Sequence, residues 1–108
     1  MSATDRPGAD LRRYPRARVS RKVVVLVPGA RPRHRQSIDV SPFGMKVRLE
    51  TKLAPGSPAR LSLAVPGEAP LALDAIVWRT DHEGPVFVFV GVPAKQFRRL
   101  KQLVDSYR

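Results

Sequence analysis

The chain has 108 residues, a length that suits a single domain, and its 43% hydrophobic content is ordinary for a folded protein. It contains no cysteine, which excludes disulfides and thiolate metal sites, and no apolar run approaches the roughly 20 residues that span a bilayer. The net charge is +11, of which residues 1–35 carry +8. This asymmetry points to an anionic partner: a nucleotide, a nucleic acid or a membrane surface.

The first residues differ from the rest in composition. Residues 1–11 are polar, small and interrupted by Gly and Pro, so we predict a flexible N-terminal tail. They lack the apolar stretch of a signal peptide, and we therefore expect a cytoplasmic protein. Residues 12–18 carry four arginines, and Pro15 favours an extended backbone over a helix. In an extended chain Arg12, Tyr14, Arg16 and Arg18 share one side.

Residues 19–92 have the pattern of short strands separated by Pro- and Gly-containing turns. Met45 to Glu50 shows it best, because apolar and charged residues alternate there as in a half-buried strand. The six predicted strands are 19–27, 35–41, 45–50, 59–65, 71–80 and 86–92. This spacing predicts a small antiparallel barrel or sandwich.

The hydrophobic period changes after Ala94. Phe97, Leu100, Leu103, Val104 and Tyr107 recur at helical spacing, and basic and polar residues occupy the other faces. This predicts a C-terminal amphipathic helix that packs on the domain's own strands. A basic helix of this kind can alternatively meet a membrane or a partner protein.

Two short motifs bear on function. The string Arg12-Arg13-Tyr14-Pro15-Arg16 has the form Arg-x-x-x-Arg, and Asp39-Val40-Ser41-Pro42-Phe43-Gly44 has the form Asp-x-Ser-x-x-Gly. Each motif alone is weak, because arginine pairs and Asp/Ser turns are common. In this order, with the first motif before the first strand and the second motif at the end of the second strand, they resemble the PilZ domain family, whose members bind the bacterial second messenger cyclic di-GMP.

The resemblance implies a fold and a ligand site. The fold would be a six-stranded antiparallel PilZ-type β-barrel with a C-terminal α-helix, over residues 12–108. The ligand-binding residues would include Arg12, Arg13 and Arg16, which offer fixed charge and planar donors to phosphates and guanine edges. Near the fifth strand's end, Trp78 should face outward if Val77 is core, and there it would either line the ligand site or be a partly exposed barrel residue.

Asp39, Ser41 and Gly44 form the second group of expected ligand-binding residues. Asp39 and Ser41 project together from a strand, so Asp39 can accept hydrogen bonds from guanine while Ser41 bonds the same base or orders the turn. Gly44 should adopt a positive φ or permit a close backbone approach. The simpler reading, in which Asp39 and Ser41 only order a turn between two strands, is compatible with this one.

We predict a receptor or adaptor and not an enzyme, with no cofactor apart from its ligand. His34 and His82 lie far apart in loops, without a third ligand at metal spacing or an evident catalytic partner. The resemblance implies that cyclic di-GMP orders the N-terminal arginine motif and alters contact with a downstream protein. Two alternatives remain: a basic β-barrel for single-stranded nucleic acid, which the low number of aromatic residues, seven, disfavours, and a PilZ-like adaptor that binds no nucleotide.

Overall fold

The computed structural model describes residues 16–107, and within that range the chain forms seven strands and one helix. The strands are β1 (Ala17–Arg18), β2 (Lys22–Leu26), β3 (Arg33–Ser41), β4 (Gly44–Arg48), β5 (Pro58–Val65), β6 (Glu68–Asp81) and β7 (Gly84–Phe89). The helix α1 spans Ala94–Ser106. Arg12 and Arg13, the predicted tail and the start of the predicted domain lie outside the described residues.

Six of the strands close into an antiparallel barrel. The neighbours run β3-β2-β5-β6-β7-β4, and β4 pairs again with β3 to complete the ring. This confirms the predicted six-stranded barrel with its C-terminal helix. The short β1 is an addition to the prediction: it pairs with the far end of β3, placing Ala17 opposite Val40 and Arg18 opposite Asp39.

The core is formed by the apolar side chains that face inward at alternate positions along the strands. Inward-facing side chains of the barrel are almost fully buried, and Phe87, Met45 and Leu61 are the largest of them. Helix α1 adds Leu100, Leu103 and Val104 to the same cluster, so its apolar face packs on the barrel as predicted. The cluster also contains Val77, which turns Trp78, 40% exposed, to the outer face.

Strand boundaries differ from the predicted ones by a few residues. The first predicted strand, 19–27, is divided into β1 and β2 because the pairing with β3 is irregular at residues 19–21, where backbone hydrogen bonds alternate with bonds to the Ser37 side chain. The Ser37 hydroxyl donates to the carbonyl of Val19 and accepts from the amide of Arg21. The third predicted strand ends at Arg48 and the sixth ends at Phe89, whereas the second begins earlier, at Arg33. Among the described residues no helix is long and apolar enough to cross a membrane.

Candidate functional site

The structure brings the end of the first motif onto the second. The Arg16 Nη2 atom lies 2.5 Å from Asp39 Oδ1, although the two residues are 23 positions apart in the chain. Both side chains are largely shielded, with 32% of Arg16 and 15% of Asp39 exposed. β1 causes this contact, because its pairing with β3 carries the preceding residue, Arg16, over the outer face at Asp39.

Asp39 lies among cations on three sides. Arg18 of β1 and Lys46 of β4 are its directly opposite neighbours on the two flanking strands, and Arg16 pairs with its carboxylate. Directly opposite residues in antiparallel strands have Cβ atoms about 4.5–5.5 Å apart, so these charges share one patch of the outer face. The patch offers both an acceptor and several donors, as a ligand with phosphates and a donor-rich base edge requires.

Ser41 orders the turn that follows Asp39. It is fully buried, and its hydroxyl accepts from the amides of Phe43 and Gly44, each at 3.2 Å. Of the two roles predicted for Ser41, this hydrogen bonding supports turn ordering. The ring of Phe43 packs edge-on against Phe97 of α1, with centroids 5.5 Å apart. The motif's turn is therefore fixed to both the barrel and the helix.

Gly44 is required by the neighbouring strand. Its φ is not positive, so that part of the prediction is wrong. A Cβ built at Gly44 would lie 2.3 Å from the carbonyl oxygen of Phe87 in β7, where real Cβ atoms are essentially never found. The close approach that the prediction named as the other possibility is thus made by β7 of the barrel itself.

Trp78 lies on the same outer face, two strands from Lys46. Across β7, Val86 is paired with Lys46 on one side and Arg79 on the other, which sets Trp78 at the level of the Asp39 patch. The Arg79 guanidinium carbon lies 5.1 Å from the centroid of the Trp78 ring, within cation–π range. Trp78 is thus a partly exposed aromatic residue on the same outer face, with Arg79 over its ring.

Sequence reasoning did not identify Lys46 as part of this patch. Its amine contacts Asp81 Oδ2 at 2.7 Å and Glu83 Oε1 at 2.9 Å, on the hairpin between β6 and β7. Hydrogen bonding to Lys46 lowers the pKa of both carboxyls, and the bond to Asp81 is the largest cause of the raised pKa of Lys46. The alternation around Lys46 predicts that it faces outward, but only the strand register places it opposite Asp39.

The described residues contain no cluster of three or more His, Cys, Asp or Glu side chains arranged to hold a metal ion.

Comparison with known proteins identifies the fold family. The family profile described as "PilZ domain" matches residues 10–106, nearly the whole chain. The chain belongs to the PilZ family. PilZ domains act as receptors and adaptors, and the family is known for binding cyclic di-GMP.

Solved PilZ structures share this fold. The PilZ domain of CeSA from a cellulose-synthesizing bacterium is 22% identical, with a TM-score of 0.69 over 85% of this chain and 96% of that one. The PilZ domain of Escherichia coli YcgR with c-di-GMP is 18% identical, with a TM-score of 0.72 over 88% of this chain and 89% of that one. The Bacillus subtilis inhibitor of motility, MotI/DgrA, is 20% identical, with a TM-score of 0.73 over 86% of this chain and 49% of that one. No match was found among curated proteins.

Proposed function

We propose that this PilZ domain is a cyclic di-GMP receptor whose ligand binds at the patch around Asp39. The observation that supports this most is the 2.5 Å contact between Arg16 and Asp39, which unites the two sequence motifs at one place. The YcgR neighbour, whose structure contains c-di-GMP, has the same fold. Arg12 and Arg13, which lie outside the described residues, are proposed to complete the site from the same N-terminal segment.

The ligand's chemistry suits an exchange of partners. Guanine presents an imino and an amino group side by side, and a carboxylate such as Asp39 accepts from both. Each phosphate presents oxygens to a guanidinium, which donates in a planar fork. On binding, Asp39 would turn from Arg16 to the guanine edge, and Arg16 would turn from Asp39 to a phosphate or base. Trp78 would supply an aromatic surface at the side of the site.

We further propose that binding is signalled by the N-terminal segment. The sequence places Arg6, Arg12, Arg13, Arg16 and Arg18 there, with Asp10 as the one acidic residue among positions 6–18. Two phosphates would relieve the repulsion within this segment and fix the arginines that precede β1 over the barrel, beside Arg16 and Arg18, which already lie there. The fixed segment would then form a new surface for a downstream protein. Amide hydrogen exchange tests this step: added ligand should raise protection at residues 12–18, and equal protection in both states would rule it out.

Calorimetric titration tests the binding site. Arg16→Ala should weaken cyclic di-GMP binding by roughly 10- to 100-fold, because a hydrogen bond to a charged group contributes about 1.5–3 kcal/mol. Arg60→Ala is the matched control, since Arg60 forms a similar pair with Asp74, at 3.0 Å, on the strands β5 and β6. Its affinity should equal that of the wild-type chain. Equal affinities for Arg16→Ala and wild type would refute the site.

Asp39 should determine base selectivity. Its charge repels phosphate, so its use in binding is to accept hydrogen bonds from guanine. Asp39→Ala should therefore reduce the preference for cyclic di-GMP over cyclic di-AMP, whereas Arg16→Ala should flatten the salt dependence, since it removes a phosphate-pairing charge. An unchanged guanine preference in Asp39→Ala would contradict the role given to the carboxylate.

The same titrations separate the two alternatives. A barrel for single-stranded nucleic acid would bind an oligonucleotide in preference to cyclic di-GMP, and Trp78 and Tyr107 are the aromatic residues that the described part exposes to stack bases. An adaptor without a nucleotide would bind neither. GTP serves as the control for nonspecific attraction of phosphates to a basic chain.

A further inference from the structure

Lys46 faces away from the carboxylate that stands beside it. It is directly opposite Asp39 in the β3–β4 register, and both side chains are 15% exposed on the outer face. Yet among the residues that the structure describes, no ion pair joins the two. The Lys46 amine lies instead at 2.7 Å from Asp81 and 2.9 Å from Glu83.

The order of the strands determines the direction in which the Lys46 side chain extends when it pairs with the hairpin carboxylates. In the barrel, β4 lies between β3, which carries Asp39, and β7, which begins at the hairpin that carries Glu83. The hairpin carboxylates therefore draw the amine to the side of β4 that is remote from Asp39. A lysine directly across a strand pair from an aspartate is otherwise well placed to pair with it, because opposite charges at such positions attract.

We propose that Asp81 and Glu83, by holding Lys46 on their side of β4, keep it from joining Arg16 on the Asp39 carboxylate, so that the guanine edge has to displace Arg16 alone. Without the two acidic residues, Lys46 would swing across to Asp39 and compete with the ligand for the same carboxylate oxygens. Lys46 is thus a positioning residue that acts through Asp39, and the hairpin determines how strongly it competes. This inference rests on the proposed binding of cyclic di-GMP at Asp39.

The hairpin is built to hold an ionised lysine. Asp81 Oδ1 accepts from the amide of Glu83 at 2.9 Å, and its other oxygen, Oδ2, faces the Lys46 amine. Lys46 lowers the pKa of both carboxyls, so they remain charged throughout the neutral range. Arg18 also contributes to the lowered pKa of Glu83, which places the acidic hairpin within electrostatic reach of the cations around Asp39.

The test removes the two hairpin charges and keeps the turn. In the neutral-hairpin variant, Asp81→Asn/Glu83→Gln, the asparagine oxygen can still accept from the backbone amides of the turn. Its affinity for cyclic di-GMP, measured by calorimetry, should fall roughly two- to fivefold, the range expected when an ion pair of ordinary surface strength competes. Adding Lys46→Met should restore the affinity. Glu83→Gln alone should show a smaller loss, which keeps the test available if the double variant folds poorly.

Two controls define what would overturn the inference. Glu68→Gln removes the same charge from a carboxylate that pairs with Arg99 of α1, and it should leave the affinity unchanged. Tighter binding by the neutral-hairpin variant would mean that the freed Lys46 contacts phosphate, which overturns the inference. A loss that Lys46→Met does not rescue would overturn it as well.

A ligand-free measurement separates this inference from the proposed function. A double-mutant cycle on the free energy of unfolding, with Lys46→Met and Asp39→Asn, should show weak coupling in the native background and stronger favourable coupling in the neutral-hairpin background, and equal coupling in the two backgrounds would overturn the inference. Absence of coupling in both backgrounds overturns the inference, whatever the titrations show. A wild-type chain that fails to bind cyclic di-GMP overturns the proposed function, and the unfolding cycle still decides whether the hairpin restrains Lys46.

Discussion

Gly44→Ala should destabilise this domain even in the absence of ligand. The new Cβ would lie 2.3 Å from the Phe87 carbonyl oxygen, so strands β4 and β7 would have to separate by about 0.7 Å to reach even the 3.0 Å limit. The obstacle is a backbone atom within the β4–β7 ladder, where Met45 pairs with Phe87, and it cannot rotate away as a side chain would. Overpacking a well-packed interior costs about 1–3 kcal/mol, and we expect a value near the top of that range.

Thermal and urea unfolding of the free protein measure this effect. At roughly 4–8 °C per kcal/mol for a domain of about this size, the melting temperature should fall by on the order of 10–20 °C. Gly67→Ala is the matched control: its φ is +69°, and a Cβ there would meet nothing within 4 Å, so it reports the cost of a left-handed alanine alone. That cost is about 1–2 kcal/mol. If Gly44→Ala kept wild-type stability and lost only ligand binding, the glycine would serve the ligand and the steric reasoning would be refuted.

Three further predictions concern the core and the outer face. Phe87→Ala should destabilise the domain by about 3–5 kcal/mol in urea titrations, because this ring is completely buried in the barrel core. Folding lowers the pKa of Asp81 and Glu83 below their usual 3.8 and 4.5, because Lys46 stabilises the charged carboxyls. The free energy of unfolding should therefore decrease as the pH falls through these lowered pKa values. In Lys46→Met, the same pH series should show a shallower decrease. The emission of Trp78, the one tryptophan, should change on addition of cyclic di-GMP and remain constant with cyclic di-AMP at the same concentration; constant emission with both would place the ring outside the site.

The sequence predicted the barrel well because its signals are local. Alternation such as that of Met45 to Glu50 specifies which face of a strand is buried, and the Pro/Gly turns separate one strand from the next. The helical period after Ala94 is equally plain. The strand ends were less predictable, since the break between β1 and β2 depends on the Ser37 hydroxyl of another strand.

The candidate site was predictable only as far as its motifs. Local spacing relates Asp39 to Ser41, but the contact of Arg16 with Asp39 and the position of Lys46 beside them depend on the register between strands. Gly44 shows the same limit. A sequence can indicate that a glycine is needed, whereas only the packed β7 shows that the barrel itself requires it.

The central claim, that cyclic di-GMP binds at the Asp39 patch, is tested most directly by a site-resolved NMR titration of the isotope-labelled chain. The account predicts that amide signals of residues 16–18, 39–41, 43, 44 and 46 shift saturably with added cyclic di-GMP. Signals of Leu26 and Val90, exposed residues outside the patch, should stay in place. No shift at Asp39 and its neighbours, or a larger response at Leu26 and Val90, would contradict the account.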